Sequence, residues 1–197
     1  MSKQAKISKG NSKLPGIPNI STTPCKGCNH DAPCKRGGCY AIKLCRIYKP
    51  AAGNWSHNLE LASSDPAAYF ASISAQLNKG MPPAWFRWHI AGDILDQSYL
   101  KGMVAIAKEL PATWFLVFTK MHHLDFRGLP NNLQVVFSMW PGWGNTRKRR
   151  SRAWLKDVKN PDPRIPADAV ECPGLCTECG VCWSLSKLGK DVVFDVH

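Results

Sequence analysis

The chain has 197 residues, 44% of them apolar, enough for one domain whose core needs no disulfides. Its 26 lysines and arginines outnumber 14 acids, a net charge of +12 that favours anionic partners: nucleic acid, nucleotides or acidic small molecules. No run approaches the ~18 apolar residues of a membrane span. The opening MSKQAKISKGNSK lacks the apolar core of a leader, so no membrane contact and a cytoplasmic location are expected.

In chain order, residues 1–24 are rich in Lys, Ser, Gly and Pro without apolar periodicity, and read as a flexible basic arm ahead of a single α/β domain over 25–197. YAIKLCRIY, after Cys39, reads as a short helix. Asp65-Pro66 is an N-cap followed by Pro at the first helical position, opening a helix that Gly80 stops. AWFRWHIAG (84–92) reads as a strand. Asp96 caps a helix with Tyr99, Met103 and Ile106 on one face, ended by Pro111. TWFLVFTK (113–120), LQVVFSMW (133–140) and DVVFDVH (191–197) read as further strands, and 141–170 as an irregular excursion. Strands apolar on both faces and joined through a helix imply a partial parallel sheet with flanking helices.

Cysteine is the most informative residue type. Cys25, Cys28, Cys34, Cys39 and Cys45 lie within 21 residues, Cys172, Cys176, Cys179 and Cys182 within 11, and the 126 residues between hold none. An odd count in a chain expected to stay in a reducing compartment points to soft-metal ligands rather than disulfides. Cys176-x2-Cys179-x2-Cys182 matches the run that wraps a ferredoxin [4Fe-4S] cubane, with Cys172 as fourth ligand. Zinc is the alternative at this knot, although it usually takes two separated Cys-x2-Cys hairpins. Cys28-x5-Cys34-x4-Cys39 supplies three thiolates, a set that leaves one iron of a [4Fe-4S] cluster open to act as a Lewis acid. Cys25 or Cys45 as fourth ligand would close that site, and Cys45 also reads as a small buried apolar residue. One or two clusters are compatible with these spacings. The expected architecture has both cysteine-rich terminal segments closing over a cluster.

In an α/β sheet, ligands gather beyond the carboxyl ends of the strands. Four candidate catalytic residues fall there: His89 as a general base, Asp93 to orient it or bind a substrate amine, Lys120 to hold an anionic intermediate, and Ser138. The adjacent His122 and His123 usually point apart in a turn. Arg147, Lys148, Arg149, Arg150 and Arg152 form a basic cluster which, with the arm, makes a candidate nucleic-acid contact.

Cys28-x5-Cys34-x4-Cys39-Tyr40-Ala41, then His89-x2-Gly92-Asp93, then Thr119-Lys120 and Ser138, resembles the phage gene-product-eighty-eight-like family in order and spacing over residues 10–140. That resemblance implies a phage-derived protein in a host cytoplasm. A looser similarity links the chain to radical S-adenosylmethionine enzymes, which pair a three-cysteine open cubane with an α/β sheet and a glycine-acid motif after the next strand. Their tight Cys-x3-Cys-x2-Cys loop is absent here, and 197 residues is short for their barrel. The leading expectation is therefore an iron–sulfur enzyme with Lewis-acid, esterase-type hydrolase chemistry on a small-molecule substrate. Radical S-adenosylmethionine chemistry and a non-catalytic, metal-stabilised nucleic-acid-binding protein are the alternatives.

Overall fold

The computed structural model describes residues 4–36, 38–145 and 150–195. Seven parallel strands form one sheet: β1 (Asn19–Ile20), β2 (Trp85–Trp88), β3 (Trp114–Thr119), β4 (Leu133–Ser138), β5 (Arg152–Lys156), β6 (Val170–Glu171) and β7 (Val192–Asp195). Their order is β1-β2-β3-β4-β5-β7-β6. Among the described residues, six helices accompany them: α1 (Tyr40–Ile47), α2 (Lys49–Ser64), α3 (Pro66–Leu77), α4 (Gln97–Glu109), α5 (Cys176–Cys179) and α6 (Leu185–Leu188). The α/β expectation holds. Among the described residues, no helix is long and apolar enough to cross a membrane.

Alternation along the strands sorts side chains onto two faces. Phe86, Trp88, Phe115, Val117, Val135 and Phe137 pack with Tyr69 and Ile73 of α3 and with Tyr99, Met103 and Ile106 of α4; this is the helix face. Leu116, Val136, Ala153 and Val192 face the other way, against Leu14, Ile17, Trp183 and Leu185, with Cys172, Cys176 and Cys182 beside them; this is the cysteine face. The helices start where their caps dictate. Asp65 accepts from the Ala68 N–H (3.0 Å) with Pro66 next in the chain, and Asp96 accepts from the Tyr99 N–H (2.8 Å). Each such cap is worth about 1 kcal/mol.

Crossover handedness explains what covers each face. From β1 to β5 the order advances one strand at a time, and right-handed connections moving in one direction stay on one face. The helices α3 and α4 and the buried loop residues Met121, Leu124 and Phe126 all lie on the helix face. From β6 to β7 the order steps back, so the same handedness sends the connection across the opposite face. That connection is residues 172–191, which carry the second cysteine knot.

Several elements differ from expectation. The strand expected over 84–92 stops at Trp88 because His89 adopts a left-handed backbone, φ 53. The strand over 191–197 is observed as β7, with Val196 and His197 outside the described residues. The excursion over 141–170 contains β5 and the first residue of the edge strand β6, and a long second helix, α2, follows α1 directly. Residues 4–24, expected as a flexible arm, lie against the domain. Ala5, Leu14, Ile17 and Ile20 are buried, Ser8 bridges Asn19, and Asn58 of α2 holds this segment through the Lys6 N–H (2.7 Å) and the Lys6 and Ser21 carbonyls (both 3.0 Å). Its few apolar residues are spaced to fill gaps at the β1 edge rather than to form a helix stripe.

Candidate metal centre

The chain leaves β1 at Ile20 and enters the first cysteine segment. Three contacts pin that segment over the carboxyl ends of β2 and β3. The Thr22 N–H donates to the Ala91 carbonyl (3.1 Å), the Asn29 side-chain amide to the Lys120 carbonyl (2.8 Å), and the Tyr40 hydroxyl to the Ile90 carbonyl. The close approach at Thr22 requires Gly92, whose φ is +79. A Cβ there would stand 2.1 Å from Thr22 Oγ1 and 2.8 Å from the Thr22 carbonyl oxygen. The tyrosine of Cys-Tyr-Ala and the glycine of Gly-Asp thus serve the same end: both hold the cysteine segment on the sheet.

Within the segment, Cys25 adopts a left-handed φ of 66 and has Cys39 as a neighbour that raises its pKa further. Cys25 and Cys34 are electrostatic neighbours of each other and of Cys39, and Cys28 neighbours Cys25 and Cys34. Cys45 sits apart on α1, with only Cys39 of this group beside it. Burial raises the pKa of Cys25 and Cys34, and burial with the Asp93 carboxylate pushes Cys28 up to about 12. Neighbouring thiolates add to each shift. Four partly buried thiols that repel one another when ionised are a soft donor set, which a bound cationic group would turn to thiolates. Among the described residues, no group of three or more His, Cys, Asp or Glu side chains could hold a metal ion as placed. The knot is a neighbourhood of thiols, not a closed shell around one ion.

Asp93 is buried and committed to the sheet end. Its Oδ1 accepts from Thr119 Oγ1 (2.6 Å) and the Ile94 N–H (2.8 Å), and its Oδ2 from the Lys120 N–H (2.9 Å). Burial raises its pKa against these bonds and the Lys120 charge. The carboxylate therefore ties β2 to β3 directly under Cys28 and Cys34, both of which it faces electrostatically. Lys120, half-buried, is the cation beside Cys34. Ser138 is half-buried at the end of β4.

His89 is placed elsewhere. Strand alternation from Trp85 and Arg87 would put it on the cysteine face, but its left-handed backbone turns the ring to the helix face, 5.4 Å from Tyr99 and 6.3 Å from Trp88 between centroids. Both ring nitrogens are buried without a hydrogen-bond partner. Burial, with Arg87 nearby, brings its pKa down to about 3. Of the four candidates, Asp93 and Lys120 meet at the cysteine segment, and His89 lies behind the sheet. His122 and His123 point apart: His122 is buried, stacked on Phe137 at 4.3 Å, and His123 is exposed.

The second knot crosses the cysteine face. Cys172 follows β6 and its N–H donates to the Val193 carbonyl (3.0 Å); the Cys176 N–H donates to the Lys13 carbonyl (3.0 Å); Trp183 stacks on Trp85 at 5.2 Å. Burial raises the pKa of Cys176 and pushes Cys182 up to about 12, with Arg87 opposing both. Cys172 and Cys179 are electrostatic neighbours of both thiols. Arg87 is the residue that sequence reasoning passed over. Its only signal was an arginine inside the otherwise apolar run Trp85-Phe86-Arg87-Trp88.

The basic cluster divides. Arg150 donates to the Phe126 carbonyl, and Arg152 reaches Asp191 at 3.7 Å, beside the Trp154 Nε1–H that donates to the same carboxylate (2.8 Å). These two side chains have internal partners. Arg147, Lys148 and Arg149 fall outside the described residues.

Compared with known proteins, the chain matches no curated protein and no solved structure. The sequence profile of the family described as Gene product 88 matches residues 2–185, and the chain belongs to that family.

Proposed function

We propose that this protein is an iron–sulfur enzyme of phage origin, active in the cytoplasm, whose N-terminal cysteines hold a [4Fe-4S] cluster for S-adenosylmethionine-dependent radical chemistry. One observation carries the reading: the cysteine segment after β1 is seated on the Gly92-Asp93 turn that follows β2, at the carboxyl ends of consecutive parallel strands. Two arguments that favoured hydrolase chemistry weaken. The chain is long enough for seven parallel strands, and His89, the intended general base, lies on the far face with its pKa near 3.

Cys28, Cys34 and Cys39 would hold the group, with Cys25 as a fourth thiol at the same place. An all-sulfur set spread around a segment suits a cluster better than a single tetrahedral ion. When bound, such a cluster with an open iron supplies electrons to S-adenosylmethionine. The chain's own residues do the rest. Gly92 and Thr22 fix the segment's height over the sheet, Asp93 locks the ends of β2 and β3, and Lys120 holds an anion beside Cys34. Cys172, Cys176, Cys179 and Cys182 offer a second soft donor set for a cluster, with zinc as the alternative there. The exposed Lys6, Lys9 and Lys13, the last adjoining Cys176, favour an anionic substrate, nucleic acid included.

Lys120 beside Cys34 keeps Lewis-acid hydrolase chemistry as the second reading, since an ammonium there would stabilise an oxyanion. Anaerobically purified protein separates the two. Release of deoxyadenosine with dithionite and S-adenosylmethionine is the expected result. Turnover of an activated ester without either reagent, lost on cluster removal, would overturn it in favour of hydrolysis. Protein free of iron and sulfide would overturn both.

A further inference from the structure

Arg87 sits in the middle of β2 and points to the cysteine face. Its Nε–H donates to the Trp88 carbonyl (3.0 Å) and its guanidinium lies 4.1 Å from the centroid of the Phe118 ring. Phe118 belongs to the same packed group as Cys172, Cys176 and Cys182. Among the described residues, no carboxylate lies within ion-pair distance of Arg87. The charged or ionisable groups that oppose its desolvation are Tyr40 and the thiols of Cys182, Cys176 and Cys172. A guanidinium has five N–H donors, and holding it half-buried without a carboxylate is costly unless negative charge is supplied nearby. The strand reversal that carries residues 172–191 across this face brings three thiols to it.

We propose that Arg87 is a positioning residue for the C-terminal cysteine site: its guanidinium is the counter-charge of the group that Cys172, Cys176, Cys179 and Cys182 hold, and it raises the reduction potential of that group. The inference rests on reading these cysteines as cluster ligands. A tetrathiolate site carries net negative charge, and a fixed cation beside it lowers the cost of burying that charge and of adding one more electron. Tyr40, whose hydroxyl donates to the Ile90 carbonyl, has both Arg87 and Cys39 of the first knot as electrostatic neighbours.

The test uses the full chain, purified anaerobically, in a Cys34→Ala background so that retained iron reports on the C-terminal site. Arg87→Gln removes the charge while keeping a donor for the Trp88 carbonyl, Arg87→Met provides the same neutralisation should the glutamine variant not fold, and Arg87→Lys keeps the charge. The neutral variants are expected to lose iron to a chelator at least about tenfold faster, in line with groups that contact metal ligands elsewhere. Their midpoint potential in a dithionite titration followed by electron paramagnetic resonance should move negative, with Arg87→Lys close to the parent. Iron present with unchanged release and potential in folded Arg87→Gln would overturn the role of Arg87 and leave the site standing. No iron in the Cys34→Ala background would overturn the C-terminal ligand reading, and the role of Arg87 with it.

Discussion

His89 should make the protein acid-sensitive in a defined window. Its ring is buried, neither nitrogen has a hydrogen-bond partner, and its pKa falls from the ordinary 6.5 to about 3. The folded state therefore keeps the ring neutral while the unfolded chain binds a proton below pH 6.5. A depressed folded pKa means that the stabilisation is complete above 6.5 and is lost as pH falls towards 3. Each pH unit in that window removes about 1.4 kcal/mol, so about 3 kcal/mol is gone by pH 4.5 and about 5 kcal/mol over the whole range. Asp93, whose pKa is raised by burial, works with the opposite sign: protonation stabilises the fold as pH falls through its folded value.

His89→Asn separates the two, because asparagine tolerates the left-handed backbone and does not titrate. Urea unfolding at a series of pH values, for both proteins, gives the difference in stability directly. That difference should slope by about one proton between pH 6 and 4, with the parent losing more. Parallel curves, or a His89 ring proton titrating near 6.5 by magnetic resonance, would refute the placement of the ring and restore His89 as a candidate base.

Replacing Cys28, Cys34 or Cys39 with alanine should each lower absorbance near 400 nm in anaerobically purified protein to what the C-terminal cysteines contribute, whereas Cys45→Ala, on α1 and apart from the group, should keep full iron and sulfide. Joint replacement of Cys172, Cys176, Cys179 and Cys182 by serine should lower the iron content and leave the chain folded by circular dichroism; truncation before Cys172 is no substitute, because it would remove β7 from between β5 and β6. Gly92→Ala should cost about 2–5 kcal/mol in thermal unfolding, from the left-handed backbone and the collision with Thr22 together. Asp93→Ala leaves the Thr119 hydroxyl and the Lys120 and Ile94 N–H groups without their acceptor, and should cost about 3 kcal/mol or more in urea unfolding.

What could be read from the sequence followed the strength of local signals. β3 and β4 are uninterrupted apolar runs, buried on both faces, and they stand within a residue or two of expectation. α3 and α4 carry aspartate caps and were equally plain. β1 and β6 are two residues long, too short to show any period, and they exist because neighbours offer them hydrogen bonds. β5, Arg-Ala-Trp-Leu-Lys, is masked by its flanking charges, of which Arg152 is neutralised by Asp191 from 39 residues further on. α2 contains Pro50 and Gly53, residue types disfavoured inside helices; Pro50 is tolerated because it falls in the first turn. At the site, spacing alone grouped the cysteines. The roles of Gly92 and Tyr40 required knowing that residues 22 and 40 return to the end of β2, and the turning away of His89 required its backbone angle.

The second knot, separated from the first by 126 cysteine-free residues, reaches the cysteine face because of topology rather than attraction between the knots. A chain that added strands in one direction only, with right-handed connections, would put every connection on the helix face and leave the other face of the sheet bare. One backward step, from β6 to β7, is the least change that lays a segment on that second face. In this protein the segment so placed carries four cysteines, and the strand it crosses carries Arg87. A strand-order reversal is also where α/β sheets commonly place ligands. On the proposed reading, the charge of Arg87 is then intelligible as the counterpart of the thiolates that a group bound by these cysteines would create. An arginine buried there before the cysteines arrive would oppose folding, so the closing segment and the cation are expected to be stable only together. Unfolding of Arg87→Met with the four C-terminal cysteines changed to serine should accordingly show a coupling of about 1 kcal/mol or more against the separate changes, because residues sharing one electrostatic network do not act additively. Simple additivity of the two sets of changes would show that charge plays no part in seating the segment, and would leave the Trp183–Trp85 stack and Leu185 to hold it.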